Sequence, residues 1–395
     1  MTTASSTSTI VSPAREVTQS GRLLSVDVLR GLTIAFMVLV NNNGNEAAAY
    51  WPLKHAAWNG FTPTDLVFPT FLFLVGITTV FSTASRLAKG ETKRDLFLHV
   101  FRRSIVLYLL GLVVNSFPYF HLHTMRFYGV LPRIAICYLM TATLYIISAD
   151  WRNKAALAIA ALLGYWILMR FVPVPGYGVP GHDIPLLDRD ANLAAWLDRK
   201  IFSASHLYEH TRDPEGLLST LPALATSLVG LLTGIWLRTR RTLTAKGVGI
   251  AAAGLSGVLL GGLWNLSFPI NKKLWTSSYV LFAGGLSLLL LALCLLIVDL
   301  PKKGPNRPDR SRFLTPFLVF GTNAITAYVF SELLQSAFSS IHPRQDLNLQ
   351  QLLYRFIQNV VPNQAFASLL YSLGFVAVCW LFVSVLYRRR IFIRV

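Results

Sequence analysis

This chain is short of charge, and shorter still of acidic residues. Charged residues make up 14% of its 395 positions, with 18 Asp and Glu against 36 Lys and Arg. A soluble domain carries about 25% charged residues, so the composition argues against a soluble protein. Hydrophobic residues make up 53% of the chain, which is typical of a protein with many membrane spans.

Three further absences narrow the possibilities. Only three cysteines are present, and because all lie inside apolar runs we expect packing thiols and neither disulfides nor a zinc site: Cys137, Cys294 and Cys379. Residues 1–20 are rich in Ser and Thr and lack an apolar core, which predicts a disordered cytoplasmic tail and no signal peptide. No internal repeat is visible, so the inverted repeat of many transporters is missing.

What the chain does contain is a series of apolar runs long enough to cross a hydrocarbon core of about 30 Å. Such spans must be helices, because lipid offers backbone amides no hydrogen-bond partners. We therefore predict an all-α, polytopic membrane helix bundle of about ten transmembrane helices, in one domain over residues 21–395 with a long outer loop at about 173–216. The predicted spans are 28–45, 63–85, 100–117, 128–148, 154–172, 217–237, 247–265, 276–299, 313–335 and 366–387.

The basic residues sort by side of the membrane. With an even number of spans, 24 of the 36 Lys and Arg fall on the side that holds both termini. Cytoplasmic loops carry an excess of Lys and Arg, so we expect both termini in the cytoplasm and a multi-pass protein of the bacterial inner (plasma) membrane. The net charge of +18 is thus explained by topology, and no nucleic-acid partner is needed.

Polar side chains crowd into "KHAAWNGFTPTD" (54–65), where one span stops and the next begins. Thr62, Pro63 and Asp65 have the order of a helix start, which gives Asp65 a structural explanation. A loop histidine such as His55 is usually just solvated. Held at the mouth of the bundle, however, its imidazole could act as a general base or a nucleophile. Four aromatic residues would anchor this loop at the membrane interface: Tyr50, Trp51, Trp58 and Phe61.

Other polar groups sit in or beside the spans. Asp27 and Arg30 share a helix face and can pair, while Arg22, Arg30 or neighbouring loop cations could instead meet phosphates at a cytoplasmic mouth. Asn41 ends the first span, where an Asn run can be only a helix cap. A guanidinium inside a span costs about 2.5–3.5 kcal/mol on insertion scales, so Arg133 should face a polar cavity or a partner, or snorkel outward.

Two more groups leave their roles open. Asn323, inside a predicted span, fits either a hydrogen bond to a neighbouring helix or a binding role. Asn271, Lys272 and Trp275, at an outer helix start, fit either an exposed rim or a binding site.

Several of these stretches together resemble one known family. "RLLSVDVLRGL", "MVLVN", "KHAAWNGFTPTDLVFP", "GVLPRIAICY", "DPEGLLSTLPA", "PINKKLWTSSYVL" and "GTNAITAYVF", in that order, resemble the heparan-α-glucosaminide N-acetyltransferase family over residues 22–395. The resemblance implies transfer of acetyl from cytosolic acetyl-CoA, a co-substrate, to the amino group of a glucosamine-type hexosamine on the extracytoplasmic side, without a metal. It places the family's active-site histidine on His55, its asparagine on Asn41 and its span arginine on Arg133.

The resemblance also gives expected roles. His55 would be the general base, and the Asn41 amide would donate to the thioester carbonyl or its tetrahedral intermediate. Direct transfer is preferred over an acetyl-histidine intermediate, because it exposes no acyl-imidazole to water. The remaining expected site residues are Asp65, Trp58 and Asn59 in support, Arg22, Arg30, Arg133 and Asn323 for acetyl-CoA, and Asn271, Lys272 and Trp275 for the acceptor.

Rival functions share the same architecture. The chemistry could instead be O-acylation of an envelope glycan, or the chain could be a transporter of glycan or lipid precursors, or a non-catalytic scaffold. Binding of acetyl-CoA separates an acetyltransferase from a transporter. The expected partners are therefore acetyl-CoA, an amino-sugar acceptor and the lipid bilayer, and a homodimer stays open.

Overall fold

The apolar runs form long helices. The computed structural model describes residues 23–300, 311–343 and 345–393, so the predicted tail at 1–20 and Arg22 lie outside the described residues. The helices are α1 Leu24–Asn41, α2 Val67–Leu87, α3 Lys93–Ser116, α4 Val130–Ile147, α5 Trp151–Phe171, α6 Leu193–Ile201, α7 Thr220–Leu237, α8 Leu243–Trp264, α9 Ser277–Cys294, α10 Ser311–Thr322, α11 Ala324–Ser340, α12 Leu349–Val360 and α13 Gln364–Arg388. A 3-10 turn, Pro63–Leu66, leads into α2, and a π-helical turn, Leu295–Asp299, extends α9.

Nine helices within the described ranges are long and apolar enough to cross a membrane, and α10 with α11 makes a tenth span if the bent pair is counted as one. The predicted all-α membrane bundle is thereby confirmed. Most predicted spans agree with the helices to within a few residues. The first span is shifted, since it runs Leu24–Asn41 where 28–45 was predicted.

The ninth predicted span, 313–335, is wrong as a continuous helix. The chain bends by 80° between α10 and α11. The backbones of α10 and α1 touch, because a Cβ added at Gly321 would lie 2.2 Å from the Asp27 carbonyl oxygen and one at Gly31 would lie 1.7 Å from the Phe317 carbonyl oxygen. With α10 packed so closely across α1, the chain must turn at Asn323 before it continues as α11.

Consecutive spans are joined by short connections at one face of the bundle and by long ones at the other. The short connections are residues 88–92, 148–150 and 238–242. The long connections are residues 42–62, 117–129, 172–219 and 265–276. We call the first the terminal face, because α1 begins and α13 ends there, and the second the loop face.

The pairing of α2 with α7 fixes the start of α2 deep in the bundle. A Cβ at Gly76 would lie 2.0 Å from the Ser227 carbonyl oxygen, and one at Gly230 would lie 1.9 Å from the Phe73 carbonyl oxygen. Small residues permit such backbone contact between membrane helices. The 3-10 turn that precedes α2 therefore rests on a rigid support at the loop face.

The loop face carries more structure than its polar composition indicates. The long connection between α5 and α7, which contains the predicted outer loop, includes the short helix α6. The segment 336–365, which lies between the ninth and tenth predicted spans, contains the end of α11 and all of α12. Asn348 begins α12 by accepting a hydrogen bond from the Gln351 backbone N–H at 2.8 Å.

Candidate active site

A histidine and an aspartate form the centre of the site. The predicted helix start is confirmed, since Asp65 Oδ2 accepts from the Thr62 backbone N–H at 3.0 Å. The same oxygen accepts from the Ala56 backbone N–H at 3.1 Å. The other oxygen, Oδ1, lies 2.6 Å from His55 Nδ1. One carboxylate thus caps the helix and orients the imidazole, so the structural and supporting roles of Asp65 coincide.

Hydrogen bonds hold the loop that carries His55 on both of its flanks. Thr62 Oγ1 donates to the Lys54 carbonyl at 2.6 Å, and Thr64 Oγ1 donates to the Pro52 carbonyl at 2.9 Å. On the other side of the turn, the Gly60 N–H donates to the Ile270 carbonyl at 2.8 Å. The backbone of His55 is therefore fixed before any substrate binds.

The pairing with Asp65 determines which ring nitrogen is available. A carboxylate can only accept, so Nδ1 carries the proton and Nε2 keeps its lone pair. No hydrogen bond to His55 Nε2 is present within the described ranges. The His55 side chain is 39% exposed, whereas the Asp65 side chain is 1% exposed. This is the arrangement of a general base with a buried carboxylate behind it.

The surroundings of His55 favour the neutral ring. Burial and the positive charge of Lys272 lower the pKa of His55 below its usual value, and they outweigh the hydrogen bond and charge of Asp65, which raise it. A histidine whose pKa lies below 6.5 is mostly neutral at pH 7 and can accept a proton. Lys272, expected near the acceptor, therefore lies close enough to act on the His55 imidazole.

Asn41 projects toward α11. Its Nδ2 donates to Glu332 Oε1 at 3.3 Å, and its side chain is exposed. The capping role falls to its two neighbours, since Asn42 Nδ2 donates to the Val38 carbonyl at 2.7 Å and Asn43 Nδ2 donates to the Val40 carbonyl at 3.0 Å. The amide of Asn41 is thus not used to end the helix.

Arg133 lies wholly inside the protein and does not snorkel to the surface. Its Nη2 donates to the Gly216 carbonyl at 3.0 Å and to Ser219 Oγ, and its guanidinium lies 5.1 Å from the centre of the Trp275 ring. Within the described part of the chain its Nε and Nη1 have no hydrogen-bond partner. Buried donor nitrogens are costly to leave unpaired, so Arg133 has capacity for a further hydrogen-bond partner.

Two of the residues expected to contact the acceptor lie inside the protein. Asn271 and Trp275 are each 0% exposed. Asn271 Nδ2 donates to Asn59 Oδ1 at 3.1 Å, and Trp275 Nε1 donates to Thr226 Oγ1 at 3.1 Å. Because both side chains are wholly buried, they support the histidine loop and Arg133 and do not present a surface to an acceptor.

The expected supporting residues Trp58 and Asn59 tie the histidine loop to its neighbours. Trp58 Nε1 donates to the Leu187 carbonyl at 2.8 Å. The guanidinium groups of Arg189 and Arg212 lie 5.5 and 5.2 Å from the Trp58 ring, within cation–π range. The long α5–α7 connection is thus fastened to the loop that carries the candidate base.

Sequence reasoning missed an ionic cluster at the loop face. Arg126 Nε donates to Asp213 Oδ2 at 2.7 Å, and its Nη2 donates to Glu215 Oε2 at 2.5 Å. Burial alone would raise the pKa of Glu215, but the charges of Arg126 and Lys272 outweigh it and keep the group ionised. The charge of Glu215 in turn raises the pKa of His55. The only sequence feature that pointed to this cluster is the "DPEG" within one of the family-like stretches.

A cavity of about 910 Å³ opens between α1, α2, α3, α4, α10, α11 and α13. Its mouth at the terminal face is basic, with Arg30, Arg86, Lys89, His99 and Arg103 among its lining residues. Sequence reasoning named the neighbouring cations only as a class. The Arg103 guanidinium lies 4.9 Å from the centre of the Tyr138 ring, and its buried Nε has no partner in the described ranges.

The deep end of this cavity lies toward the start of α2. Phe71 and Ile134 line it. Phe71 follows Asp65 by six residues, which is about 9 Å at 1.5 Å per residue of helix. Ile134 directly follows Arg133, whose Nε and Nη1 have no partner among the described residues. The lining of the cavity thus comes to within about two helical turns of Asp65, and neither His55 nor Asp65 is among its lining residues.

The residues expected to contact acetyl-CoA have different hydrogen-bond partners in the structure. The predicted pair of Asp27 and Arg30 is confirmed, and Arg30 Nε also donates to the Gly321 carbonyl at 2.6 Å. Asn323 is 1% exposed and does not line the cavity; it binds the backbone of Ile391 and Ile393 instead. Direct contact between Asn323 and a donor is therefore not supported. No group of three or more His, Cys, Asp or Glu with metal-site geometry occurs among the described residues.

Comparison with known proteins gives the family. Residues 22–264 match the family model described as the heparan-α-glucosaminide N-acetyltransferase catalytic region. Heparan-α-glucosaminide N-acetyltransferase of Homo sapiens is 30% identical over 369 residues, which cover 80% of this chain and 54% of the relative. The Mus musculus protein of the same name is 29% identical over 377 residues, covering 82% of this chain and 56% of the relative. The chain thus spans about half the length of the curated relatives it matches.

Proposed function

Since this chain belongs to the family of the heparan-α-glucosaminide N-acetyltransferase catalytic region, we propose that it moves an acetyl group from acetyl-CoA to the amino group of a hexosamine across the membrane. The observation that carries the proposal is the carboxylate-oriented histidine at the loop face. A basic cavity that extends from the opposite face to Phe71, within about two helical turns of Asp65, supports it.

The excess of Lys and Arg on the terminal side supports a cytoplasmic terminal face. Acetyl-CoA would then enter from the cytoplasm, and the acceptor would meet His55 on the extracytoplasmic side. The cations at the cavity mouth suit the phosphates of CoA, because charge-assisted hydrogen bonds to phosphate are among the strongest that side chains make. A volume of about 910 Å³ suits a ligand of this size.

The chemistry that follows is a single transfer. The amine nitrogen attacks the thioester carbonyl, a C–N bond forms, and the C–S bond breaks. His55 Nε2 takes the proton that the nitrogen loses and returns it to the departing CoA sulfur. Asp65 stays ionised and stabilises the imidazolium formed in between. Neither an acetylated enzyme nor a metal is required in this scheme.

Two sets of N–H donors are available for the oxyanion of the tetrahedral intermediate. Asn41 Nδ2, which donates a hydrogen bond to Glu332 in this structure, is the donor that the family resemblance implies. Arg133 Nε and Nη1 are a second pair, already buried and unpartnered. Donors held in a water-poor site before the reaction are the more effective ones, since they need no reorganisation as charge develops.

The test is acetyl transfer by the full chain purified in detergent. Acetyl-CoA is supplied with a panel of amino sugars, and released CoA and N-acetylated product are both measured. We expect product with glucosamine-type acceptors from the wild-type chain and none from His55→Ala. Acetylation of a hydroxyl on an acceptor without an amine would point to O-acylation. Failure of the folded wild-type chain to bind CoA would refute the acetyltransferase.

A further inference from the structure

The chain after α13 folds back against the donor cavity. Arg390, with φ of +56°, turns the backbone out of the helix, and the Ile391 N–H donates to the Leu386 carbonyl at 2.9 Å. Residues 391–393 then continue without helical structure. The direction of this segment is thus set by a turn in the left-handed region, which a non-glycine residue adopts only where surrounding contacts hold it.

The amide of Asn323 hydrogen-bonds to residues 391–393 at two points. Its Nδ2 donates to the Ile391 carbonyl at 3.2 Å, and its Oδ1 accepts from the Ile393 N–H at 3.1 Å. These two backbone groups flank Phe392. The amide therefore holds Phe392 much as a neighbouring β-strand would, whatever side chains the segment carries.

These two hydrogen bonds explain why residue 323 is an asparagine and why it lies at the helix break. An amide offers one donor and one acceptor on the same group, and the segment needs one of each. An aspartate could only accept, and it would set its charge against the Ile391 carbonyl. Asn323 lies at the 80° bend between α10 and α11, and from there its side chain reaches the tail.

The residues that Asn323 holds line the cavity proposed for acetyl-CoA. Phe392 and Ile393 both border it, together with Tyr387, whose ring centre lies 6.3 Å from that of Phe392. The two residues remain 41% and 46% exposed. They are thus not packed away in a core, and the surface they keep open borders the cavity.

We propose that Phe392 and Ile393 form an apolar wall of the donor site, and that Asn323 is a positioning residue that acts on the donor only through this wall. The inference rests on the proposed function in taking a CoA thioester as the ligand. It adds a recognition element from the end of the chain, opposite the basic side chains of α2 and α3. Phosphates would meet the cations, and the less polar parts of the donor would lie against the wall.

The experiment measures CoA binding directly, with the full chain in detergent and by titration calorimetry. Phe392→Ala removes the aromatic part of the wall. Asn323→Asp removes the hydrogen bond to the Ile391 carbonyl while keeping the size of the side chain. We expect each change to weaken CoA binding by about 3- to 10-fold, since each removes part of one apolar contact surface. In turnover assays KM for acetyl-CoA should rise while KM for the amino sugar stays unchanged.

Phe356→Ala is the matched control, because Phe356 is also exposed but lies on α12 at the loop face. It should leave CoA binding within 2-fold of the wild-type value. If the wild-type chain binds CoA and Phe392→Ala binds it equally well, the wall is wrong while the proposed function stands. Tighter binding by Phe392→Ala would mean that the tail obstructs the donor, which also contradicts the proposal. If the wild-type chain binds no CoA, the proposed function itself fails.

Discussion

The loop face and the terminal face hold their functional side chains in different ways. At the loop face, His55 is oriented by a carboxylate that is itself held by two backbone N–H groups. At the terminal face, two other side chains hold the Arg86 guanidinium, Glu91 at 3.1 Å and His99 at 3.0 Å. Lys89 is exposed there. His55 is thus held by a carboxylate that is bonded to backbone, whereas Arg86 is held by other side chains and Arg30 by the Asp27 side chain and the Gly321 carbonyl.

This difference has a functional reading. Proton transfer requires the base within a few tenths of an ångström of its place, and bonds to the backbone supply that precision. Binding a long, charged donor tolerates side-chain movement, because several cations share the phosphates. Changes at the loop face should therefore act on kcat, and changes at the terminal face on KM for the donor.

The largest effect is expected for His55→Ala. Loss of the base should lower kcat by about 10²- to 10⁴-fold, because positioned acid–base catalysis contributes that much. Binding of CoA, measured separately, should be unchanged. A variant that kept wild-type turnover would place the base elsewhere, and one that lost CoA binding would remove the proposed separation between the two faces.

Asp65→Asn should come next. The amide cannot serve the Nδ1–H of His55 and both backbone donors as the carboxylate does, so the ring loses its orientation. We expect kcat to fall by about 10²-fold, and the free energy of unfolding to fall by about 1–3 kcal/mol from the unsatisfied buried donors. Steady-state kinetics and thermal unfolding measure the two effects.

Asp95→Asn is the control for the capping part of that effect. Asp95 closes a capping box with Thr92 at the start of α3, but it orients no histidine. Activity should stay within about 2-fold of the wild-type value, since an exposed cap contributes only to helix stability. Equal losses of activity in the two variants would mean that Asp65 acts merely as a cap.

The sequence was sufficient for the helical class because the membrane leaves a long apolar run no other structure. It was also sufficient for the helix start at Thr62, where capping depends on residues three apart. It was not sufficient for the break at Asn323, since hydropathy continues across it. Just before that bend, the backbone of Gly321 packs against that of Asp27, which is far away in the chain.

The candidate site shows the same limit. The family-like stretch identified His55, but the sequence did not indicate that Asp65 would carry the helix start and the imidazole at once. Trp275 looked like an exposed aromatic beside two lysines, yet its indole N–H is bonded to Thr226 inside the bundle. Tertiary contacts between distant segments decided these points, and local patterns do not encode them.

At the terminal face, Arg103→Gln should raise KM for acetyl-CoA by about 10-fold with little change in kcat, the effect of one charge-assisted hydrogen bond. Arg103 lies 4.9 Å from the Tyr138 ring and has an unpartnered Nε within the described ranges. Arg241→Gln is the matched control. Arg241 lies 4.8 Å from the Trp236 ring at the same face but outside the cavity lining, so KM should not change.

The smallest expected effect is electrostatic. Lys272 lowers the pKa of His55, so Lys272→Gln should raise it and move the acid limb of the kcat/KM profile to higher pH. Activity below that limb falls because the ring is then protonated and cannot act as a base. Lys273→Gln, next in sequence but paired with Glu209 at 3.0 Å, should leave the limb in place. A shift in both variants would mean that net charge at the loop face, and not the position of Lys272, sets the titration of the base.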